Sequence, residues 1–228
     1  MSAPESTAAT KRPAPKRGES DPDDVATRQR VLDATIACIL ELGFYRSSTN
    51  EIARRAGVTW GVIQHYFGTR ERLMVAVLQN GFHQFIEVVE GVHLEGDTVR
   101  ERMGELVDMF ADFYARPEYL ADLQVLLSMD RDPRTSAEVR ETMRDVAAKS
   151  NVHVRRLLRE ALGSAATTPD LLDTVFLVVR GFGLSQQLLD TMSYDAPAPK
   201  RDRVARQRRL LADLLVPLVE HLGGPEAP

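Results

Sequence analysis

One stretch in the first third of the chain carries polar side chains whose types and spacing suit hydrogen bonding to nucleic-acid bases and phosphates. Ser48 precedes Glu51 by three residues, and this capping box predicts the start of a short helix. Gly57 ends that helix, because glycine enters the left-handed region without steric cost. Thr59 then caps a second helix that runs to Phe67. Two short helices joined by a glycine turn form a helix-turn-helix.

The outward face of the second helix supplies the side chains that would meet DNA, since a helix of this size fits the major groove. Thr59, Trp60 and Gln64 are predicted to reach base edges or a thymine methyl group. Gly61 has no side chain, so the backbone there is expected to approach DNA closely. His65 is predicted to lie on the same outward face.

Phosphate contacts are expected from the helix ends and from the turn before them. The residues assigned to this role are Arg46, Ser48, Thr49, Tyr66 and Arg70. Five arginines stand against two glutamates between positions 46 and 72, a local excess of three positive charges in a chain of net charge −4. Such a basic island favours a phosphate-binding face. The alternative is an ordinary helical hairpin with a solvated, charged face.

A denser pattern covers the 37 residues from Leu42 to Leu78. Its elements are Gly43-Phe44, Ser48-Thr49, Ile52-Ala53, Ala56-Gly57-Val58, Thr59, Gly61, Tyr66-Phe67 and the following Arg70. This pattern resembles the DNA-binding domain of the tetracycline-repressor (TetR) family. Val62 stands where the family frequently has threonine and Gln64 where it frequently has tyrosine, so the operator sequence does not transfer from relatives. The resemblance implies a DNA-binding transcription regulator with a second domain that binds an effector and dimerises.

The composition is that of an ordinary globular protein, with 228 residues of which 43% are hydrophobic and 27% charged. No run approaches the ~18 apolar residues of a membrane span, and no secretory signal core is present, so we expect a cytoplasmic protein. The single cysteine, Cys38, fits a reducing compartment and is predicted to pack in the core. The predicted organisation is a disordered arm (1–20), a helix-turn-helix domain (21–70), a helical effector-binding and dimerisation domain (71–222) and a frayed tail (223–228).

The apolar spacing predicts helices throughout and no strand, so the fold class is all-α. A first helix is expected over 21–42, where it would clamp the helix-turn-helix. Thr69 opens a helix whose apolar positions continue far into the second domain. Further helices are expected near 98–116, 118–129, 136–162, 169–192 and 202–221.

The last two predicted helices are apolar on more than one face, as expected for helices that are covered on two sides. The resemblance implies that they pair with their copies in a second subunit as a four-helix interface. The residues assigned to this interface are Leu171, Val175, Val178, Phe182, Leu189, Leu211, Leu215 and Leu218. The alternative is that both helices are buried in a monomeric core.

The resemblance also implies an effector cavity between the central helices of the second domain. The residues assigned to its lining are Phe110, Phe113, Tyr114, Tyr119, Leu123, Leu127 and Phe176, with Gln124, Asn151, His153 and Arg180 as polar groups. Aromatic residues at helical spacing also suit plain core packing. Arg180 lies in mid-helix between apolar neighbours, so its guanidinium needs a partner. A carboxylate across the dimer interface and an acidic group on the effector both fit.

Other classes of function find little support in the sequence. There is no phosphate-binding loop or nucleophile elbow, and the five histidines lack tight metal-ligand spacing. We therefore expect no enzyme activity, metal or cofactor, and a helical enzyme is only the remote alternative. A sequence-tolerant DNA-packaging protein is the second alternative, but such proteins need many phosphate contacts and this chain is acidic. The sequence thus predicts a homodimeric repressor released from inverted-repeat DNA by a small, largely apolar effector, with activation or ligand-free regulation left open.

Overall fold

The computed structural model describes residues 22–163, 169–188 and 200–222, and all regular elements in these ranges are helical. In chain order they are α1 (Pro22–Leu42), a 3₁₀ turn (Phe44–Arg46), α2 (Thr49–Ala56), α3 (Trp60–Phe67), α4 (Arg70–Val89), α5 (Val99–Tyr114), α6 (Pro117–Arg131), α7 (Ala137–Leu162), α8 (Pro169–Leu188) and α9 (Lys200–Leu222). The all-α prediction is confirmed. Within the described ranges no helix has the length and apolarity needed to cross a membrane.

Helix starts follow the local capping chemistry of the sequence. Thr69, Thr98 and Ser136 each accept a hydrogen bond from the backbone N–H three residues later, at 3.2–3.3 Å. Thr98 and Glu101 form a complete capping box. The observed helix bounds therefore lie close to the predicted ones. The 3₁₀ turn was not predicted, and the predicted arm (1–20), tail (223–228) and extension of α8 to 192 lie outside the described residues.

The buried side chains form two cores that meet along α4. The first core joins α1, the 3₁₀ turn, α2, α3 and the start of α4 to the inner faces of α6 and the start of α7. The second core joins the end of α4 to α5, the second half of α7, α8 and α9. Cys38 is fully buried in the first core. The first two turns of α4 and the middle of α6 thus pack with the DNA-binding helices, so the division at residue 70 is not a division in packing.

The contact between α5 and α8 is close enough to require glycine. A Cβ placed on Gly183 would lie 2.9 Å from Cβ of Tyr114 and 3.2 Å from Cα of Ala111. No unstrained carbon contact is that short, so a side chain at this position would push the helices apart. This close approach places the preceding turns of α8, with Phe176 and Arg180, opposite the end of α5.

Candidate nucleic-acid interface and ligand cavity

The turn between α2 and α3 has the backbone geometry predicted from its glycine. Gly57 adopts φ 67° and ψ 31°, in the left-handed region, and its N–H bonds to the last carbonyls of α2. Val58 donates its N–H to the Ala53 carbonyl at 3.0 Å. Ile63 and Phe67 are buried in the first core, which sets the inner face of α3. The helix-turn-helix is therefore held by both backbone and packing.

Four of the residues assigned to DNA lie on the exposed face of α3: Thr59, Gly61, Gln64 and His65. The side chain of Thr59 also caps the helix by accepting a hydrogen bond from the Val62 N–H. Trp60 is half-buried and packs against the first core. The first core therefore covers part of the indole, which we expected on the exposed face of α3.

Arg70 does not point outward as predicted. Its guanidinium donates to the carbonyl of Phe44 at 2.8 Å and lies 4.7 Å from the centre of the Phe44 ring. A second, longer bond of 3.5 Å reaches the Ser47 carbonyl. Burial lowers the pKa of Arg70, and the nearby Arg134 lowers it further. Arg70 therefore braces the 3₁₀ turn, and its assignment as a phosphate contact is corrected.

The basic island is largely neutralised by internal ion pairs. Arg54 and Arg55 both bind Glu51 at 2.7 Å, and Arg55 also binds Glu41. These arginine hydrogen bonds hold the pKa of Glu51 at about 2. Arg72 pairs with Glu138 on α7. The Ser48 hydroxyl caps α2, as the predicted capping box requires. The Glu51 carboxylate, which the capping box would pair with the Ser48 N–H, instead binds the two arginines.

The remaining assigned phosphate contacts lie around the mouth of the motif. Arg46 and Ser48 are exposed, and Arg46 uses only its Nε, which donates to the Leu42 carbonyl at 2.9 Å. Thr49 is half-buried at the start of α2. The Tyr66 hydroxyl donates to Asp24 at 2.5 Å, tying α3 to α1. The terminal N–H groups of Arg46 therefore remain available for a phosphate contact.

Arg70→Ala is expected to lower the free energy of unfolding by about 1–3 kcal/mol, because it leaves the Phe44 carbonyl without its donor in a half-buried site. Thermal or urea unfolding of the full chain measures this loss. Arg46→Ala is the matched control: its side chain is exposed, so a change within about 0.5 kcal/mol is expected. Equal stabilities for the two variants would contradict the bracing role.

A cavity of about 180 Å³ lies where the two cores meet, between α4, α5, α6, α7 and α8. Its walls are apolar and aromatic, with polar groups on α6, α7 and α8. The lining residues are Leu78, Gly81, Phe82, Phe85, Phe113, Tyr114, Tyr119, Asp122, Leu123, Leu126, Met143, Val146, Ala147, Ser150, Asn151, Val154, Phe176 and Arg180. This arrangement has the form of a small-molecule site.

The structure brings together seven of the eleven residues assigned to this cavity: Phe113, Tyr114, Tyr119, Leu123, Asn151, Phe176 and Arg180. Four do not line it. Phe110 is fully buried behind the wall, where its ring contacts Phe85 and Phe176. Leu127 is 48% exposed, one helical turn beyond Leu123 on α6, and lies outside the cavity lining. The other two, Gln124 and His153, are not part of the cavity wall either.

Arg180 is held by aromatic groups. Its Nε donates to the Tyr119 hydroxyl at 2.6 Å, and its guanidinium carbon lies 5.7–6.0 Å from the ring centres of Tyr114, Tyr119 and Phe176. Among the described residues no carboxylate lies within ion-pair distance of it. Asp173, on the same helix, pairs instead with Arg155 at 2.8 Å.

Asp122 is the carboxyl-bearing residue of the cavity wall, and sequence reasoning missed it. A Cβ placed on Gly81 would lie only 2.1 Å from its Oδ2, so the carboxyl lies directly against α4. Burial raises the pKa of Asp122 to about 8; Arg116 opposes this shift and Glu118 adds to it. The signal in the sequence was Gly81, a glycine in mid-helix, where glycine costs about 1 kcal/mol relative to alanine and so indicates a close neighbour.

Comparison with known proteins agrees with this geometry. The model of the tetR family of bacterial regulatory proteins matches residues 31–77, from α1 into α4. HTH-type transcriptional regulator BetI 2 of Chromohalobacter salexigens is 34% identical over 83 residues, which cover 36% of this chain and 40% of that protein. The fatty acid metabolism regulator protein of Bacillus subtilis is 29% identical over 92 residues, 40% of this chain and 47% of that protein. Residues 31–77 carry a TetR-family domain. The chain spans less than half the length of these curated relatives.

Solved structures extend the likeness beyond the helix-turn-helix. The multidrug binding protein EbrR in complex with ethidium is 26% identical, with 86% of this chain and 99% of that chain covered and a TM-score of 0.56. FadR from Bacillus subtilis in complex with stearoyl-CoA is 19% identical, with coverage of 82% and 97% and a TM-score of 0.57, a likeness of fold alone.

The outer face of α8 and α9 is apolar and exposed. Leu177, Val178, Leu210, Leu214 and Leu218 are 40–64% exposed. Their i, i+4, i+8 spacing on α9 places three leucines in one row.

Within the described residues no group of three histidine, cysteine or acidic side chains is placed to hold a metal ion.

This face corrects the predicted interface residues. Leu171, Val175 and Leu215 are buried in the second core of the same chain, because α5 covers that side of α8 and α9. Phe182 and Leu211 are half-buried, and only Val178 and Leu218 of the assigned set are exposed. Leu189 lies outside the described residues.

Proposed function

We propose that this chain is a cytoplasmic, homodimeric transcription repressor that binds an inverted-repeat operator and leaves it when a small molecule enters the cavity. One observation carries the proposal: α6 lines the cavity with Tyr119 and Asp122 and also packs in the first core with the DNA-binding helices. A ligand between α4 and α6 therefore acts directly on the support of the helix-turn-helix.

DNA reading is assigned to the exposed face of α3. Gln64 presents an amide, the group that pairs bidentately with adenine in the major groove. Gly61 has only Thr59 Oγ1 near its missing side chain, at 3.6 Å, so the backbone there is open to close approach by DNA. Arg46 supplies a phosphate contact beside this face.

Dimerisation is assigned to the outer face of α8 and α9. Five large apolar side chains on two adjacent helices form a patch of the kind that marks an interaction site. A two-fold interface presents the same patch twice, so two helices from each subunit form a four-helix contact. The two α3 helices would then read half-sites one helical turn apart.

The switch is assigned to α4 and α6 together. Leu73 and Leu78 of α4 lie in the first core, whereas Phe85 and Val89 lie in the second, so one helix joins both parts. Contacts of α6 with α1 and with the 3₁₀ turn provide a second connection. A ligand that binds the DNA-incompetent arrangement more tightly changes the spacing of the two α3 helices.

Selection of genomic fragments by the purified full-length chain tests the proposal, followed by a screen for small molecules that release the bound DNA. We expect enriched fragments to share one inverted repeat. Effector and operator must weaken each other by the same factor, with a coupling of about 1–3 kcal/mol. Fragments without a shared repeat, or an effector bound in the cavity with equal affinity in the presence of operator, would contradict it.

Gln64→Ala is expected to cost about 1–3 kcal/mol on the selected operator and to relax the preference at one base pair, because the amide is assigned to a base edge. Arg46→Ala is the matched contrast. It should weaken all sequences alike and reduce the salt slope by about 1, as the loss of one phosphate contact does. Binding to single-base operator variants at several salt concentrations measures both. Identical behaviour of the two variants would refute this division of roles.

A further inference from the structure

The cavity holds one permanent positive charge without an acidic partner among the described residues. Arg180 uses its Nε on the Tyr119 hydroxyl, and the structure gives its four terminal N–H groups no acceptor among the described residues. The three surrounding rings stabilise the guanidinium through their faces, but they accept no strong hydrogen bond. A half-buried arginine in this state favours an anion as its missing partner.

The Asp122 carboxyl group, on the other side of the cavity, does not supply that anion. Asp122 is an acid whose pKa burial raises to about 8, so it is mainly protonated at neutral pH. It lies on the α4 side of the cavity, against Gly81, and has no hydrogen-bond partner among the described residues. A protonated carboxyl is a donor with nothing to donate to. The terminal N–H groups of Arg180 and the acid proton of Asp122 thus both lack an acceptor among the described residues.

We propose that the ligand of this cavity is an organic anion with an apolar body, whose carboxylate binds the Arg180 guanidinium and accepts a hydrogen bond from Asp122. The aromatic wall, with Phe82, Phe113 and Phe176, receives the apolar body. This inference rests on the proposed function in taking the cavity as the effector site. It adds the charge of the ligand, which the family resemblance does not specify.

Three probes of equal size separate the possibilities: 3-phenylpropionate, 3-phenylpropanol and 3-phenylpropylammonium. Calorimetric titration into the full-length protein without DNA measures their affinities. We expect the carboxylate to bind about 10–100-fold more tightly than the alcohol, since one charge-assisted pair contributes a factor of this size. The ammonium should bind most weakly. Equal affinities, a preference for the ammonium, or no binding of any probe at roughly millimolar concentration would overturn the proposal.

Arg180→Gln tests the assigned group. The variant should bind the carboxylate and the alcohol about equally, whereas Arg180→Lys, which keeps the charge, should retain most of the preference. Arg159→Gln makes the same change in charge at an exposed position of α7 and should leave the preference intact. An Arg180→Gln protein that keeps its unfolding temperature and still prefers the carboxylate would refute the assignment.

Asp122→Asn tests the hydrogen bond assigned to the Asp122 carboxyl group. The amide still donates a hydrogen bond, so the order of affinities should stay carboxylate, alcohol, ammonium. A wild type that prefers the ammonium, with that preference lost in Asp122→Asn, would identify a cation site instead. These affinities are measured without operator, so they can be interpreted even if the chain is not a repressor. Conversely, release of DNA by a neutral or cationic molecule would contradict only the proposal that the ligand is an anion.

Discussion

Leu214→Glu is expected to convert the proposed dimer into a monomer. Leu214 is 64% exposed at the centre of the leucine row on α9. In a two-fold interface each substitution appears twice, so two carboxylates would be buried in an apolar contact, at a cost of several kcal/mol each. The operator would then be bound by one reading helix at a time. We expect operator affinity to fall by about 10²–10⁴-fold, the factor gained by linking two sites.

Sedimentation at micromolar concentration and operator titration measure the two effects. The matched control is Leu127→Glu, which makes the same change at a leucine that is 48% exposed on α6, away from α8 and α9. The control should remain dimeric and bind operator. A Leu214→Glu protein that stays dimeric would exclude the α8–α9 face as the interface, and a monomeric wild type would exclude the dimer itself.

Phe110→Ala is expected to lower the free energy of unfolding by about 3–5 kcal/mol, the usual loss for deleting a fully buried phenyl ring. The ring is 0% exposed and contacts Phe85, Tyr114 and Phe176, so its removal leaves a void that these rings cannot fill without losing their own contacts. Urea unfolding measures the loss. The variant tests whether Phe110 is a core residue, as the structure places it, or part of the ligand wall.

Phe82→Ala is the matched comparison, because Phe82 is half-buried and faces the cavity. Its removal enlarges a space that already exists, so a markedly smaller loss of stability is expected together with a clear change in probe affinity. Equal losses of stability in the two variants would contradict the placement of Phe110 behind the wall. So would a larger change in probe affinity for Phe110→Ala than for Phe82→Ala.

The sequence by itself determined the helices and the motif, because these depend on interactions between residues close in the chain. Thr59, Thr69 and Thr98 cap helices through N–H groups three residues away. Gly57 turns the chain because only its own backbone has to be accommodated. The outward placement of Gln64 follows from the buried positions of Ile63 and Phe67 on the same helix.

Only the tertiary structure decided what each charged or apolar side chain meets across helices. Arg70 looked like a phosphate contact until the 3₁₀ turn, 26 residues earlier in the chain, offered it the Phe44 carbonyl and ring. Asp122 became a neutral cavity group because the absence of a side chain at Gly81 lets its carboxyl lie on α4. Helix periodicity gave α8 and α9 several apolar faces without ranking them. The packing of α5 against them buried Leu215 and left Leu214 exposed, since a helix covers only one side of its neighbour.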